Sequence, residues 1–293
     1  MARSRISIAL PDIIHYLDSY DEKALMQKDL ASIFNEQREF WRLIQSMRLS
    51  EFIAYLVSNT KLRKVVFKLP HRSETRYCWG EVSRYKLAVS MKSEGYLSHY
   101  SAVALHGLTL QVPKTIYVNH EQRPQIPSPG GLTQERIDAA FRRPQRITNN
   151  FTEYQGYRYC YVNGKHTGRL GVVEMEDELG DKVPVTGLER TLIDITTRPM
   201  YGGGIPDVLG AYIRARENVS LNRLAATLTK MNYIYPYEQA VGYLLERSGH
   251  SIESIERHRA FRLSPDGFKF YLGHDMKDIE YVQKWRLYIP KGL

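Results

Sequence analysis

The amino-terminal third of the chain changes from a helical to a strand-like spacing of apolar residues. Apolar side chains recur every three or four positions in three segments, which we predict to be helices: residues 11–20, 27–35 and 50–58. Residues 62–79 instead indicate a β-hairpin with a polar tip at residues 71–75. Residues 36–48 fit either an extension of the second helix or a separate turn. Three helices followed by a hairpin are the layout of a winged helix-turn-helix.

The remainder of the chain mixes both patterns without an internal repeat. Helices are predicted at residues 83–91, 98–107 (with Ser98 as N-cap), 133–141, 187–198, 208–213, 221–228 and 236–248. Strands are predicted at residues 115–119, 151–162, 170–175, 268–272 and 285–289, with a loop at residues 124–131 and a solvated acidic turn after residue 175. We therefore predict an α+β fold, with a winged helix-turn-helix at residues 1–83 and a larger mixed α+β domain at residues 84–293.

Positive charge is concentrated in the predicted hairpin. The chain carries a net charge of +9, which favours an acidic partner such as nucleic acid. Residues 61–76 contain one Glu and six cations: Lys61, Arg63, Lys64, Lys68, Arg72 and Arg76. We interpret these cations as contacts to DNA phosphates, and about five such contacts predict a log–log salt slope near −4 to −5. The residues expected near the base-reading face of the third helix are Arg48, Glu51, Tyr55 and Asn59.

Both basic regions of the chain have other interpretations. A winged helix also serves as a protein-contact module, in which case the basic hairpin is only a solvated surface. A second basic region lies within residues 123–169 and includes Arg142, Arg143 and Arg146. It fits an extension of the DNA footprint, a contact to nucleic acid held by a partner protein, or a solvated face.

The predicted helix at residues 187–198 combines an apolar stripe with charges that must be largely buried. These charges are Glu189, Arg190 and Asp194, of which Arg190 and Asp194 are spaced i, i+4 and able to pair. Thr186 is the predicted N-cap, and Glu189 completes a capping box. The charges fit either a structural network that locks a core helix or a catalytic carboxylate with a basic partner.

Residues with metal-binding or catalytic chemistry do not form a known motif. His99 and His106 share one helix face two turns apart, roughly 10 Å, which is too far for one metal ion, so we expect hydrogen-bonded structural histidines. Cys78 and Cys160 lack metal-type spacing and are expected to be reduced and buried. Phosphate-binding loops, nucleophile elbows and zinc-protease motifs are absent from the sequence. We therefore expect no catalytic residue, metal or cofactor, and a protein that is not an enzyme.

Two other functions remain open at this point. A nuclease-like carboxylate set can be assembled from Glu174, Glu176 and Lys182, although their spacing does not match a tight Glu-x-Lys pair. The chain would then be a nuclease-related enzyme that a winged helix targets to DNA. Alternatively, it is a transcription factor whose second domain binds a small ligand. The sequence shows no signal peptide and no apolar run long enough to cross a membrane, so a cytoplasmic location is expected.

A set of motifs resembles the AbiEi antitoxin family of type IV toxin–antitoxin systems. Each motif is weak alone, but the set covers most of the chain. It comprises the amino-terminal winged-helix pattern, YLSHYSAV at residues 96–103, HGL at 106–108, LERTLID at 188–194, the glycine run at 202–204 and VGYLLE at 241–246. From the resemblance, we expect six residues of these motifs to have a structural role in the antitoxin domain: Ser98, His99, His106, Glu189, Arg190 and Asp194.

The resemblance implies a function for both predicted domains. Proteins of this family bind repeats in their own promoter through the winged helix and repress transcription. Their second domain counteracts a toxin that resembles a nucleotidyltransferase, and the family is not known for a catalytic site. The expected partners are therefore double-stranded DNA and, as a functional partner with or without direct contact, a cognate toxin, with no membrane. The expected oligomeric state is a monomer or dimer, and one expected arrangement is two copies that pair only on DNA, because one winged helix reads one half-site.

Overall fold

The computed structural model describes residues 4–124, 131–263 and 267–293. Most of the loop predicted at residues 124–131 therefore lies outside the described residues. The helices are α1 (Arg5–Ser19), α2 (Gln27–Gln37), α3 (Leu49–Asn59), α4 (Arg84–Ser90), α5 (His99–Leu105), α6 (Gln134–Phe141), α7 (Leu188–Thr197), α8 (Ile205–Ala215), α9 (Leu221–Met231), α10 (Tyr237–Arg247) and α11 (Ile252–Glu256). Short 3-10 helices occur at Pro199–Tyr201 and Arg259–Phe261.

The strands form three sheets, so the mixed α+β class is confirmed. The strands are β1 (Ala24–Leu25), β2 (Leu62–Leu69), β3 (Arg72–Trp79), β4 (Tyr96–Leu97), β5 (Thr115–Glu121), β6 (Phe151–Tyr154), β7 (Tyr157–Gly164), β8 (Val172–Glu176), β9 (Lys182–Thr186), β10 (Phe270–Tyr271), β11 (Ile279–Val282) and β12 (Leu287–Pro290). The strand orders are β1-β3-β2, β6-β7-β5-β4-β9-β8 and β10-β12-β11. No helix in the described ranges is both long and apolar enough to cross a bilayer.

Helices α1 to α3 pack on the first sheet around an apolar core that includes Ile13, Phe52 and Leu56. Helix α1 begins at Arg5, not at Pro11 as predicted, because Ser4 caps it and accepts a hydrogen bond from the Ser7 N–H at 3.3 Å. Pro11 therefore lies inside the helix.

Residues 38–48 form a separate turn between α2 and α3. The Arg38 guanidinium donates hydrogen bonds to the carbonyl oxygens of Ile44, at 2.8 Å, and Met47, at 3.2 Å. Trp41 and Leu43 are buried in the helical core. The hydrogen bonds of Arg38 and the burial of Trp41 and Leu43 thus hold this turn together. They explain how eleven residues without regular structure stay compact.

The hairpin β2–β3 takes part in two cores, one on each face. Leu62 and Trp79 pack with the helices, whereas Val65 and Phe67 pack with residues of the six-stranded sheet. The Phe67 ring contacts Tyr154 and Tyr159 with centroid distances of 5.5 and 5.6 Å. An apolar cluster therefore crosses the predicted domain boundary at residue 83, and that boundary stays a prediction.

The structure contains elements that the pattern analysis missed. Strand β9 was not predicted, and the acidic segment before it is not a fully solvated turn, because Asp177 is buried. The Asp177 carboxylate accepts hydrogen bonds from the Leu179 and Asp181 N–H groups at 2.9 and 3.1 Å, and from the Ser83 hydroxyl. Strand β11 and helix α11 were also missed, because they are only four and five residues long and too short to show a period.

The carboxy-terminal helices and the small sheet β10-β12-β11 share the largest apolar core. Trp285 is one of its largest fully buried side chains. It lies directly against Gly242 of α10, where a Cβ atom would come within 2.1 Å of the Trp285 ring. A glycine at residue 242 is thus a packing requirement.

Candidate functional site

Helix α3 exposes a face of small and neutral side chains. Phe52, Ile53 and Leu56 point inward, which leaves an outward stripe at helical spacing. This stripe is Ser50, Ala54, Val57 and Ser58. Val57 is 37% exposed. A surface without bulky or acidic side chains along its centre allows close approach of a ligand, and such residues suit contacts to base edges.

The residues expected on α3 lie at the margin of that stripe. Tyr55 is half-buried and packs against the helical core. Asn59 is exposed, and its amide donates a hydrogen bond of 2.8 Å to the Tyr55 carbonyl oxygen. Arg48 is the exposed N-cap residue, and its N–H donates to the Glu51 carboxylate at 3.2 Å. The central stripe was missed, although the inward residues of the helix pattern already define it.

Two of the predicted hairpin cations extend from the hairpin on the side of the helical core. Leu62 faces that core, and alternation along β2 places Lys64 and Lys68 on the same face. Both lysines are exposed, and Val66 between them is 48% exposed. Their cross-strand neighbours on β3 are Tyr77 opposite Lys64 and Ser73 opposite Lys68. The result is a basic ribbon that starts beside the carboxyl end of α3.

The other hairpin cations differ in accessibility. Arg63 is on the opposite face and donates to the Gly80 carbonyl oxygen at 2.9 Å. Arg72 is exposed and forms an ion pair with Glu74 at 2.8 Å. Lys61 is exposed but forms an ion pair with Asp18, and this contact is the main reason why the pKa of the Asp18 carboxyl is lowered.

Arg76 does not belong to the phosphate-binding set. Only 4% of it is exposed. Its guanidinium donates to the Ser90 carbonyl oxygen at 3.1 and 2.7 Å, to the Thr75 carbonyl oxygen at 2.8 Å, and contacts Glu74 at 3.3 Å. These bonds join the hairpin to α4. The interpretation of Arg76 as a phosphate contact is therefore wrong, because β3 is packed on both faces and residue 76 faces the interior opposite Val65.

The second basic region lies apart in sequence, after α6. Arg142, Arg143 and Arg146 are all exposed. Beside them is an open groove of about 460 Å³, to whose lining Gln145 and Met200 contribute. All three arginines are thus accessible to a ligand.

The charges of α7 connect that helix to neighbouring elements. The Arg190 guanidinium donates to the Asp194 carboxylate at 2.8 Å and to the Leu170 carbonyl oxygen at 2.7 Å. Both side chains are buried, and desolvation raises the pKa of Asp194 despite the adjacent cation. Glu189 instead accepts from the Ser220 N–H at 3.0 Å and from Arg223 at 2.9 Å. These contacts fix α7 against the loop before β8 and the start of α9.

The predicted cap of α7 is wrong. The N-cap is Gly187, whereas Thr186 ends strand β9. The Thr186 hydroxyl lies 2.8 Å from the Thr191 hydroxyl, and Glu189 points to α9 rather than back to the helix start. The capping pattern failed because residue 186 belongs to strand β9, which the sequence analysis did not predict.

Ser98, His99 and His106 lie around α5, but they do not converge. The Ser98 hydroxyl contacts His99 Nδ1 at 2.8 Å and makes no side-chain cap bond to the helix. His99 is buried against Tyr201, with a ring-centroid distance of 5.3 Å, and burial lowers its pKa to about 3. His106 Nε2 contacts the Thr186 carbonyl oxygen at 2.7 Å, and burial also lowers the pKa of His106.

The residues of the nuclease alternative lie on one hairpin. Glu174 and Glu176 are exposed on β8, and Lys182 pairs with Glu176 across to β9. Among residues 4–124, 131–263 and 267–293, no group of three or more His, Cys, Asp or Glu side chains is arranged to hold a metal ion.

The fold and the surfaces described above define a mixed α+β protein with an exposed basic hairpin beside a short helix. No protein-family model matches the chain, and no curated protein matches it either. Among solved structures, the chain is similar to the crystal structure of the RV2827C protein from Mycobacterium tuberculosis, with a TM-score of 0.59 and 17% identity. The similarity covers 98% of this chain and 93% of that chain. At this identity, the similarity concerns the fold alone.

Proposed function

We propose that the protein is a DNA-binding autorepressor whose first 83 residues are a winged helix-turn-helix. The observation that carries the proposal is the adjacency of two surfaces: the small-residue stripe of α3 and the ribbon of Lys64 and Lys68. A recognition helix needs side chains that reach base edges without obstruction, and a wing needs cations near phosphates. In this chain, helix α3 is followed directly by the hairpin strand that carries Lys64 and Lys68.

We further propose that the remainder of the chain acts as an antitoxin in the cytoplasm against a nucleotidyltransferase-like toxin. The support is the resemblance of the sequence motifs to AbiEi antitoxins. The buried charges of α7 agree with a scaffolding role for the LERTLID motif, because Arg190 and Glu189 each hold a neighbouring element and Asp194 holds Arg190.

DNA binding is tested with the few hundred base pairs upstream of the gene against a scrambled duplex of equal length. We expect the wild-type protein to prefer the upstream DNA, and a Lys64→Ala/Lys68→Ala double variant to bind it at least tenfold more weakly. Arg63→Ala is the matched control, because Arg63 lies on the opposite hairpin face, and it should bind like wild type. The double variant should also reduce the log–log salt slope by about 2, since each phosphate contact contributes about 0.9.

Two results would contradict the repressor proposal. Equal binding to the upstream and scrambled DNA would remove sequence recognition, and a divalent-metal-dependent cleavage of either DNA would favour the nuclease alternative. An unchanged affinity of the double variant would remove the hairpin from the interface.

Toxin neutralisation is tested by co-expression with the nucleotidyltransferase-like toxin that the proposal predicts to be encoded beside the gene. We expect growth arrest by the toxin alone and restored growth with the wild-type protein. The Lys64→Ala/Lys68→Ala variant should restore growth equally when both are expressed from foreign promoters, since neutralisation is assigned to the larger unit. Persistent arrest with the wild-type protein would exclude the antitoxin function.

A further inference from the structure

Helix α3 carries few of the side chains that usually distinguish one base from another. Residues Leu49–Asn59 include no Arg, Lys, Gln or His, so Asn59 is the one side chain of the helix that could make a bidentate contact to a purine. The Asn59 amide already donates to the Tyr55 carbonyl oxygen at 2.8 Å. The Glu51 carboxylate accepts from the Arg48 N–H at the start of the helix. The outward stripe therefore offers serine hydroxyls, which bond to more than one base, and apolar groups.

Ala54 and Val57 form a small apolar spot within that stripe. They are spaced i, i+3, so their side chains are neighbours on the helix surface. Both residues are exposed, and Ser50 and Ser58 lie about one turn before and after Ala54. Tyr55 of the same helix is partly buried against the helical core, whereas 37% of Val57 is exposed. Val57 is therefore placed to contact a ligand of this face.

The chemistry of the apolar spot matches one feature of the major groove. Thymine is the base that presents a methyl group there, at C5, and apolar side chains pack against this group. Burial of one methyl-sized group corresponds to about a fourfold gain in affinity. The small side chains around Val57 let the helix approach a base edge closely enough for such packing.

We propose that Val57, with Ala54 beside it, packs against the 5-methyl group of a thymine and makes operator recognition depend on that methyl group. This inference rests on the proposed DNA-binding function. It assigns discrimination between sequences to α3, and it assigns affinity that is independent of sequence to Lys64 and Lys68.

Upstream DNA in which deoxyuridine replaces every thymidine tests the proposal, because uracil lacks the methyl group and keeps the base pairing of thymine. We expect the wild-type protein to bind the uracil-containing upstream DNA at least about fourfold more weakly than the thymine-containing DNA. Val57→Ala should bind the thymine-containing DNA about fourfold more weakly than wild type does. Its affinities for the two upstream DNAs should lie within about twofold of each other.

Val173→Ala is the matched control for this variant. It removes the same two methyl groups from a valine that is 44% exposed on β8. Strand β8 is at one edge of the six-stranded sheet, whereas the hairpin β2–β3 packs against β6 at the other edge. The control should keep the wild-type ratio of the two affinities. Val57→Ala should also bind scrambled DNA like wild type, which shows that the variant is folded, because that binding depends on phosphate contacts.

The ratio of the two affinities separates a methyl contact from an effect of DNA shape. Loss of the methyl groups can change the shape of the duplex, and this would weaken wild type and Val57→Ala alike. Equal wild-type affinity for the two upstream DNAs, or a wild-type ratio in Val57→Ala, would overturn the methyl contact and leave DNA binding in place. Equal binding of the wild-type protein to upstream and scrambled DNA would instead contradict the repressor function, and this inference with it.

Discussion

The pair of Arg190 and Asp194 shows how a buried charge can hold a fold together at the scale of single residues. Its members are 4% and 8% exposed at their side chains, and the two atoms that join them are 2.8 Å apart. The pKa of Asp194 is raised by desolvation, so burial of this carboxylate is costly in itself. The hydrogen bond that Arg190 also donates to the Leu170 carbonyl oxygen offsets part of this cost.

We expect Asp194→Asn to destabilise the protein by roughly 3–5 kcal/mol, because the substitution leaves a buried guanidinium without its counter-charge. Chemical denaturation at pH 7 measures the loss. The matched control is Arg223→Ala, which removes an ion pair to Glu189 whose arginine is 69% exposed, and should cost no more than about 1 kcal/mol. A similar loss of unfolding free energy in both variants would show that burial does not determine how much an ion pair contributes to stability.

Elements of this protein are shaped as much by their neighbours as by their own sequence. Helix α10 carries a glycine in its middle, which is unfavourable for an isolated helix by about 1 kcal/mol relative to alanine. The structure shows the reason, since the Trp285 ring occupies the space of a side chain at residue 242. The motif that contains Gly242 is therefore explained by the packing of α10 on the carboxy-terminal segment.

Gly242→Ala should lower the free energy of unfolding by roughly 1–3 kcal/mol, because overpacking against a rigid indole outweighs the gain in helix propensity. Gly210→Ala in α8 is the matched control. There the new Cβ meets only the end of the Arg214 side chain, at 2.9 Å, and this flexible group can move. The control should be neutral or stabilise by up to about 1 kcal/mol. A neutral Gly242→Ala would show that Trp285 also moves at little cost.

On the scale of the whole molecule, the hairpin β2–β3 is the junction between the helical unit and the six-stranded sheet. One face completes the helical core, and the other face supplies Val65 and Phe67 to the core of the larger unit. Arg76 adds hydrogen bonds from the hairpin to the Ser90 carbonyl oxygen. A proposed wing that is fixed in this way can present Lys64 and Lys68 in a defined position, because its base is not free to bend.

The sequence by itself determined the elements whose apolar residues follow a regular period. Helices α2, α3 and α9 and the hairpins β2–β3 and β6–β7 were predicted close to their observed bounds, because periodicity and turn residues are local properties. The exposed face of α3 was also implicit in its inward residues. The α+β class followed from the sequence of elements.

Only the tertiary structure decided which of the charged residues are accessible. Arg76 and Lys64 are similar in sequence context, yet one is bonded to α4 and the other is exposed, because a strand packed on both faces hides charges that alternation assigns to solvent. The N-cap of α7, strand β9 and the edge position of β8 also depend on neighbours that are distant in the chain. Strand pairing and burial are long-range properties, and a local pattern does not contain them.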